Sequence, residues 1–259
     1  TLGHYWNISE KLNLQTNLYA ITGKTGNTNL NWFDAKDPRP DYYKYLPSYY
    51  VNDHGTLSGS QTVTDQSEYL EILNLWQQND PTVTQLDWDY LYNANYNNLY
   101  TQNNIGGDSD SSYTAKKSKY IVEEYRLDPR HFGLNSFGKY IIDDANQINF
   151  GLSLSKYKSK NFKIMNDLLG GDYWVDIDQF AQRDFADPNI AQNDLQNINN
   201  IIEEGDVFGY NYDIHIDKNE IFGEYNYNKN KMESFIGLTL SSTSFWRNGK
   251  MQNGRFPNS

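Results

Sequence analysis

From residue 12 to 22 the chain reads Leu-Asn-Leu-Gln-Thr-Asn-Leu-Tyr-Ala-Ile-Thr, which places Leu12, Leu14, Thr16, Leu18 and Ala20 on one face and Asn13, Gln15, Asn17 and Tyr19 on the other. An apolar/polar period of two is the signature of a strand with one face turned from water. The polar turn Ser9-Glu10-Lys11 precedes it, with Tyr5-Trp6 just upstream. The unit recurs at 132 to 158. Phe132, Leu134, Tyr140 and Ile142 run into the polar stretch 143–147, and Ile148, Phe150, Leu152 and Leu154 follow, opposed by Asn149, Gly151, Ser153 and Ser155. In a third copy Tyr210, Tyr212, Ile214 and Ile216 lead to a turn at 228–231. Ile236, Leu238 and Leu240 then oppose Gly237, Thr239 and Ser241. The phase slips near Lys218-Asn219-Glu220, where a bulge or bend is expected.

Three hairpins with short turns at one end are thus joined at the other by long connections, 28–117 and 160–206. Ordered connections in compact soluble domains run to about 4–6 residues. Outer-membrane barrels combine short turns on one side with long loops on the other. A strand of about 16 residues, rising about 3.3 Å per residue and tilted about 45°, climbs about 37 Å, enough to cross hydrocarbon. The pattern predicts an all-β fold, a partial transmembrane antiparallel β-barrel with long extracellular loops carrying short helices. Its apolar face would meet lipid and its Asn/Ser/Gly/Thr face a wet lumen.

Inside the loops, residues 66–77 put Tyr69, Leu70, Leu73 and Trp76 on one helical stripe after an Asp65 cap. Pro188 followed by Ile190, Leu195, Ile198 and Ile202, up to Gly205, predicts a second, polar helix. The run 106–112, Gly-Gly-Asp-Ser-Asp-Ser-Ser, reads as a flexible loop tip. Tyr5, Trp6, Tyr140, Tyr225, Tyr227 and Trp246 are the candidates for the aromatic girdles found where an apolar wall meets water.

Composition narrows the chemistry. With no cysteine among 259 residues, disulfides, thiolate metal sites and cysteine nucleophiles are excluded. A formal net charge of -11 without a basic block argues against nucleic acid as a partner. Mean hydropathy is low at -0.82, yet Tyr 22, Phe 12 and Trp 6 set the chain apart from disordered sequences. No apolar run is long enough for a membrane helix. The opening Thr1-Leu2-Gly3-His4 and the close at Asn258-Ser259 read as those of an internal fragment.

Candidate chemistry is sparse. His4, His54, His131 and His215 stand singly, without the pairing of a metal motif, and the period-two pattern points His215 into the lumen. Aspartates cluster at Asp34, Asp37 and Asp41, at Asp108 and Asp110, and at Asp172, Asp176 and Asp178 beside Trp174. Calcium could use such oxygens, but none follows an EF-hand loop, and a solvated loop surface is the better reading. Gly170-Gly171 is a turn signal. The expectation is no enzyme, no catalytic residue, no cofactor, no metal and no assigned ligand residue. The tyrosines of 42–50 either stack on cargo or pack the loop, stiffened by Pro38, Pro40 and Pro47; packing is favoured.

One string, Phe33-Asp34-Ala35-Lys36-Asp37-Pro38-Arg39-Pro40-Asp41-Tyr42-Tyr43-Lys44-Tyr45-Leu46-Pro47-Ser48-Tyr49-Tyr50, resembles a loop of TonB-dependent receptors of the Bacteroidetes. So do the collinear strings 88–95, 120–124, 167–176, 179–181 and 244–249. The resemblance implies a segment, residues 1–259, of a single 22-stranded, plugged outer-membrane barrel that takes up a scarce nutrient such as a siderophore, peptide or glycan. This segment would supply six or seven strands and two large outer loops, with the plug domain outside this sequence. The implied location is the cell outer membrane. Implied partners are outer-membrane lipid, TonB through the missing plug portion, and a surface lipoprotein or other outer-membrane subunits. Two other readings remain: an accessory barrel subunit of a larger assembly, and a soluble carbohydrate-binding sandwich.

Overall fold

The computed structural model describes residues 1–51 and 63–258, with side chains described from residue 67 in the second stretch. In chain order the elements are β1 (Leu2–Ser9), β2 (Leu12–Thr22), β3 (Thr25–Trp32), α1 (Val63–Gln77), α2 (Pro81–Thr84), α3 (Trp88–Tyr96), β4 (Leu99–Ile105), β5 (Asp108–Lys116), β6 (Tyr120–Asp143), β7 (Asn146–Asp167), β8 (Trp174–Val175), α4 (Gln179–Asp184), β9 (Ile201–Ile202), β10 (Val207–Lys229) and β11 (Met232–Gly249). The main sheet is antiparallel, in the order β1-β2-β6-β7-β10-β11 with β3 also on β6. Among the described residues the sheet is open, with β1 and β11 at its edges.

The three expected hairpins form with two-residue turns, at 10–11, 144–145 and 230–231. Asn230 takes the left-handed φ of 58° that tight hairpins demand. The strands are longer than the repeat suggested, 24 residues in β6 and 22 in β7. The connections therefore shrink to 33–119 and 168–206. The first correction comes from β2 and β3, which lie along β6 in one register, Thr22 opposite Arg130 and Thr25 opposite Leu127. Pro129 explains the gap between them. Its carbonyl accepts from Gly23 N at 3.1 Å, so its nitrogen faces the same neighbour and has no proton to return.

Rows of side chains cross the sheet. Leu12, Tyr140, Ile148, Tyr225 and Ile236 are mutually opposite, as are Leu18, Leu134 and Leu154. Between these rows, Gly138 lets the Phe150 ring lie across the strand, where a Cβ would stand 2.2 Å from it. The opposite face carries a lateral polar network. Ser153 donates to Asn135 at 2.7 Å, Asn149 to Glu224 at 3.0 Å, and His131 Nε2 lies 2.8 Å from Ser155 Oγ. The apolar face is uncovered: Ile236, Leu238 and Leu240 are 72%, 68% and 57% exposed.

No bulge marks 218–220, since β10 pairs with β11 without a break from Tyr212 to Lys229. The apolar residues of β10 instead change faces. Ile214 and Ile216 lie on the polar side, opposite Ser159 and Tyr157, whereas Ile221 and Tyr225 join the apolar rows. His215 consequently lies on the apolar side, opposite Lys158 and stacked on Trp246 at 4.8 Å, rather than on the side expected for a lumen.

Away from the short turns the sheet is clothed on both sides. On the polar side, Ile121, Met165 and Phe208 from three strands close over Leu168, Trp174 and Ile202, with Phe33 against them. On the other side Leu91 of α3 packs with Tyr120 and Leu169, flanked by Leu30, Trp32 and Val122. The tie is Asn95, fully buried. Its amide donates to the carbonyls of Tyr120 (2.7 Å), Leu168 (2.9 Å) and Leu169 (3.1 Å), and its oxygen accepts from Lys119 N and Tyr120 N.

The loop expectations fare unevenly. The helix over 66–77 forms, but it begins at Val63, so Asp65 lies inside it, and the Asp65 side chain is outside the described residues. Leu70 is 55% exposed, and Ile72 takes its place on the inner stripe beside Tyr69 and Trp76. The run 106–112 is not a loose tip. Gly106 and Gly107, with φ of 67° and 82°, turn β4 into β5. The helix expected after Pro188 does not form. Side chains there take up backbone N–H groups: Asp187 accepts from Asn189 N (2.9 Å), Asp194 from Gln196 N (3.2 Å) and Gln192 from Asn199 N (2.8 Å). Such local bonds compete with helix.

Replacing Asn95 by Leu takes the side-chain partner from the Tyr120 and Leu169 carbonyls and from two N–H groups, while Leu168 O keeps Ser118 Oγ at 2.7 Å, at a cost of about 3 kcal/mol. The expected outcome is loss of hydrogen-exchange protection across 88–96 while β6 and β7 stay protected. Unchanged protection of that helix would show that the Leu91 contact alone holds it.

Candidate functional site

The loop layer beyond the sheet brings charged and aromatic side chains together from several segments. Phe33 follows β3, its ring edge-on to Trp174 at 6.3 Å. Asp34 comes next with φ of 50°, a left-handed conformation that Asp tolerates better than most residues. Across from them the segment between β5 and β6 runs as Lys117-Ser118-Lys119, pinned by Lys117 N to Asn98 O (3.0 Å) and Ser118 N to Tyr173 O (2.8 Å). The third wall is α4, capped by Asp178, which accepts from Phe180 N and Ala181 N.

These segments enclose an open cleft of about 570 Å³, lined by Phe33, Asp34, Tyr100, Lys117, Lys119, Phe180 and Arg183 among others. That is the size of a small-ligand site. The Lys117 ammonium lies 4.7 Å from the Tyr100 ring centre and 5.7 Å from that of Phe33. Burial pushes it below the ordinary lysine range, and the nearby Asp34 charge opposes that shift. Arg183 spends its fork on Asp184 at 2.7 and 3.1 Å. The sequence reading singled out none of these lysines, because the walls come from residues near 33, 100, 117 and 180, and no local spacing links them.

The aspartates of 172–178 are drawn apart. Asp172 accepts from Lys116 N (2.9 Å), Asp178 caps α4, and Asp176 is buried, accepting from Asn193 Nδ2 and Gly209 N at 2.8 Å each. Asp37 clamps Arg39 at 2.6 Å, and Asp108 accepts from Asp110 N. No three acidic or histidine side chains among the described residues converge as a metal site would require. His54 lies outside the described residues. His4 and His131 contact rings, Trp6 and Tyr19 respectively.

The tyrosine segment packs on itself. Two 3₁₀ turns, Tyr43–Tyr45 and Pro47–Tyr50, set Tyr42 against Tyr43 and Tyr45 at 4.8 and 5.2 Å, and Tyr50 meets Tyr69 of α1 at 6.4 Å. The Tyr45 hydroxyl donates to Asp37 O at 3.0 Å, and Arg39 covers Trp32 at 5.3 Å. Tyr43 and Tyr49 keep about half their surface in water.

Comparison of the chain with protein-family models, curated proteins and solved structures finds no match.

Burial pushes the Asp176 carboxyl above the usual aspartate range, against the opposing bonds from Asn193 and Gly209 and the charge of Lys163. One of its oxygens has no hydrogen-bond partner among the described residues. A carboxyl with a raised native pKa holds its proton more tightly folded than unfolded. Its contribution is therefore full below the ordinary aspartate range and is lost as pH rises through the raised value. Asp176→Asn keeps the accepting oxygen and removes the charge. At about pH 7 the variant is expected to protect residues 173–209 from hydrogen exchange better than the parent, after correction for intrinsic rates. The advantage should shrink on acidification, and a pH-independent difference would dismiss the buried charge as its cause.

Proposed function

We propose that the chain is part of the wall and outer mouth of an outer-membrane β-barrel importer of the TonB-dependent kind, which takes up a scarce nutrient through loops that select the cargo. The observation that carries this reading is the uncovered apolar face, backed by a hydrogen-bonded polar face on the same strands, with large loops at one end only. Leaving three such aliphatic side chains in water forgoes about 1.5–3 kcal/mol apiece. Lipid removes that cost.

The dimensions agree with a membrane wall. Phe132 to Ile142 spans ten residue steps of β6, about 33 Å, which at a tilt of about 40° rises about 25 Å, the height of a lipid-facing band. Beyond Leu154 the same face turns charged, with Lys156, Lys158 and Lys160 opposite Asp217, His215 and Asp213. Lys158 and Lys250 both pair with Asp213, at 2.9 and 3.0 Å. That row suits the aqueous boundary. Of the girdle candidates, Trp6, Tyr140, Tyr225 and Tyr227 share the apolar face near the turns, and Trp246 lies on it in the charged row. Tyr5 points the other way, where Gln15 donates to its hydroxyl. The open sheet is then an arc whose edges the rest of a barrel would pair, since hydrocarbon does not tolerate free strand edges. No helix among the described residues is long and apolar enough to cross a membrane, which says nothing about strands.

A second reading, an accessory barrel whose loops dock other proteins, rests on exposed Tyr43, Tyr49 and Leu70. Native extraction that returns only a monomeric polypeptide would remove it.

The absence of cysteine makes the wall directly testable. In the complete polypeptide, single cysteines at Ile221, Leu238 and Leu240 are expected to resist a water-soluble maleimide in membranes, whereas cysteines at Ser153 and Thr239 react. Equal labelling of both faces would sink the membrane reading. A Leu238→Arg change at mid-band is expected to cost about 2–4 kcal/mol of folding into bilayers.

A further inference from the structure

Two lysines in the loop cleft carry charge that the chain leaves unspent. Lys117 and Lys119 are two apart on an extended segment and line the same cavity, and neither ion-pairs with a carboxylate among the described residues. What sets this pair apart is its place, two ammonium groups on the wall of one cleft rather than on open surface. Lys117 sits against the rings of Tyr100 and Phe33, which hold an ammonium in place without neutralising it or accepting its protons in conventional hydrogen bonds. The one acidic group on the lining is Asp34, and the third cation, Arg183, is committed to Asp184. The Phe180 ring is 59% exposed at the rim, with the Arg183 guanidinium 5.6 Å from its centre.

We propose that this cleft binds a carboxylate-bearing cargo, the carboxylate seated on Lys117 and Lys119 and the adjoining ring or aliphatic face of the cargo laid against Phe180. The inference rests on the importer reading and names its substrate class. A charge-assisted bond from ammonium to carboxylate is among the strongest polar contacts, and partial burial strengthens it. The partly desolvated Lys117 regains the stabilisation it lost, which favours an anion over a neutral ligand at this spot. The carboxamides of Gln179 and Gln182 line the same space and suit hydroxyl or amide groups beside the carboxylate. The volume accommodates two or three residues of an oligomer. The carboxylate has two chemical sources, a uronic acid or a peptide, and both present it beside a ring or an aliphatic face.

The test is isothermal titration of the complete polypeptide in detergent with two probes, tri-galacturonate and acetyl-Tyr-Ala, and with the methyl ester of each. Saturable binding of either acid, weakened about tenfold or more in its ester and in Lys117→Met, is the expected result. The probe that binds identifies the source. Lys119→Met provides a second variant should the first misfold, and the ester comparison needs no variant at all. Equal affinity for acid and ester, or no binding of either acid at millimolar concentration, overturns the proposal. Cysteine labelling of the two strand faces is read separately, so a sheet that meets lipid but ignores carboxylates rejects the ligand class and leaves the importer standing.

Discussion

The ladder between β6 and β7, from Val122 opposite Asp167 down to Asp143 opposite Asn146, is the constraint from which the other features follow. Strands of this length satisfy their backbone groups only against one another, so the register is set along the whole interface by many bonds at once. Once set, it sends odd and even residues to opposite faces without exception over the regular stretch. Leu134 must then meet Leu18 and Leu154, and Asn135 must meet Ser153. Register shifts are confined to the two ends of this ladder, between Val122 and Glu123 and between Ile141 and Asp143, and on the other edge of β6 Pro129 removes one bond yet leaves the register of β2 and β3 unchanged across it.

The same strands overrun the bare face and become the scaffold of the loop layer. Ile121, Met165 and Phe208 end their strands on one side, and Tyr120 and Val122 face the other. Each side acquires its own small core, and Asn95 bonds the two loops to the strand ends through backbone groups. The connection 33–119 is therefore anchored at both ends and at Asn95. The cleft is a consequence of this anchoring. Phe33 and Lys117 approach because β3 and β6 are neighbours, and α4 approaches because β7 delivers it to the same end.

Much of the sheet was legible in the chain, for a physical reason. A strand with one face in water and one out of it writes its period directly into the sequence, so Leu12 to Ala20, Ile148 to Leu154 and Ile236 to Leu240 identify themselves. The short turns were legible as polar interruptions between them. Residues 106–112 misled because Gly and Ser are shared by loose loops and tight hairpins, and only the cross-strand partners of β4 and β5 distinguish the two. The stretch after Pro188 misled because apolar spacing ignores what Asp187, Asp194 and Gln192 do to the backbone.

Alternation along the chain thus determined the all-β class, the hairpins and the existence of two unlike faces. Only tertiary pairing decided which residues of β10 belong to which face. Ile214 and Ile216 have the same local pattern as Ile236 and Leu238, yet they stand on the polar side because β7 and β11 hold β10 in one register from Tyr212 to Tyr227. The cleft was likewise invisible, since its lysines and rings are brought together from four distant segments by backbone pairing. Periodicity reports on neighbours within one element, whereas a site assembled by the sheet depends on the register between elements.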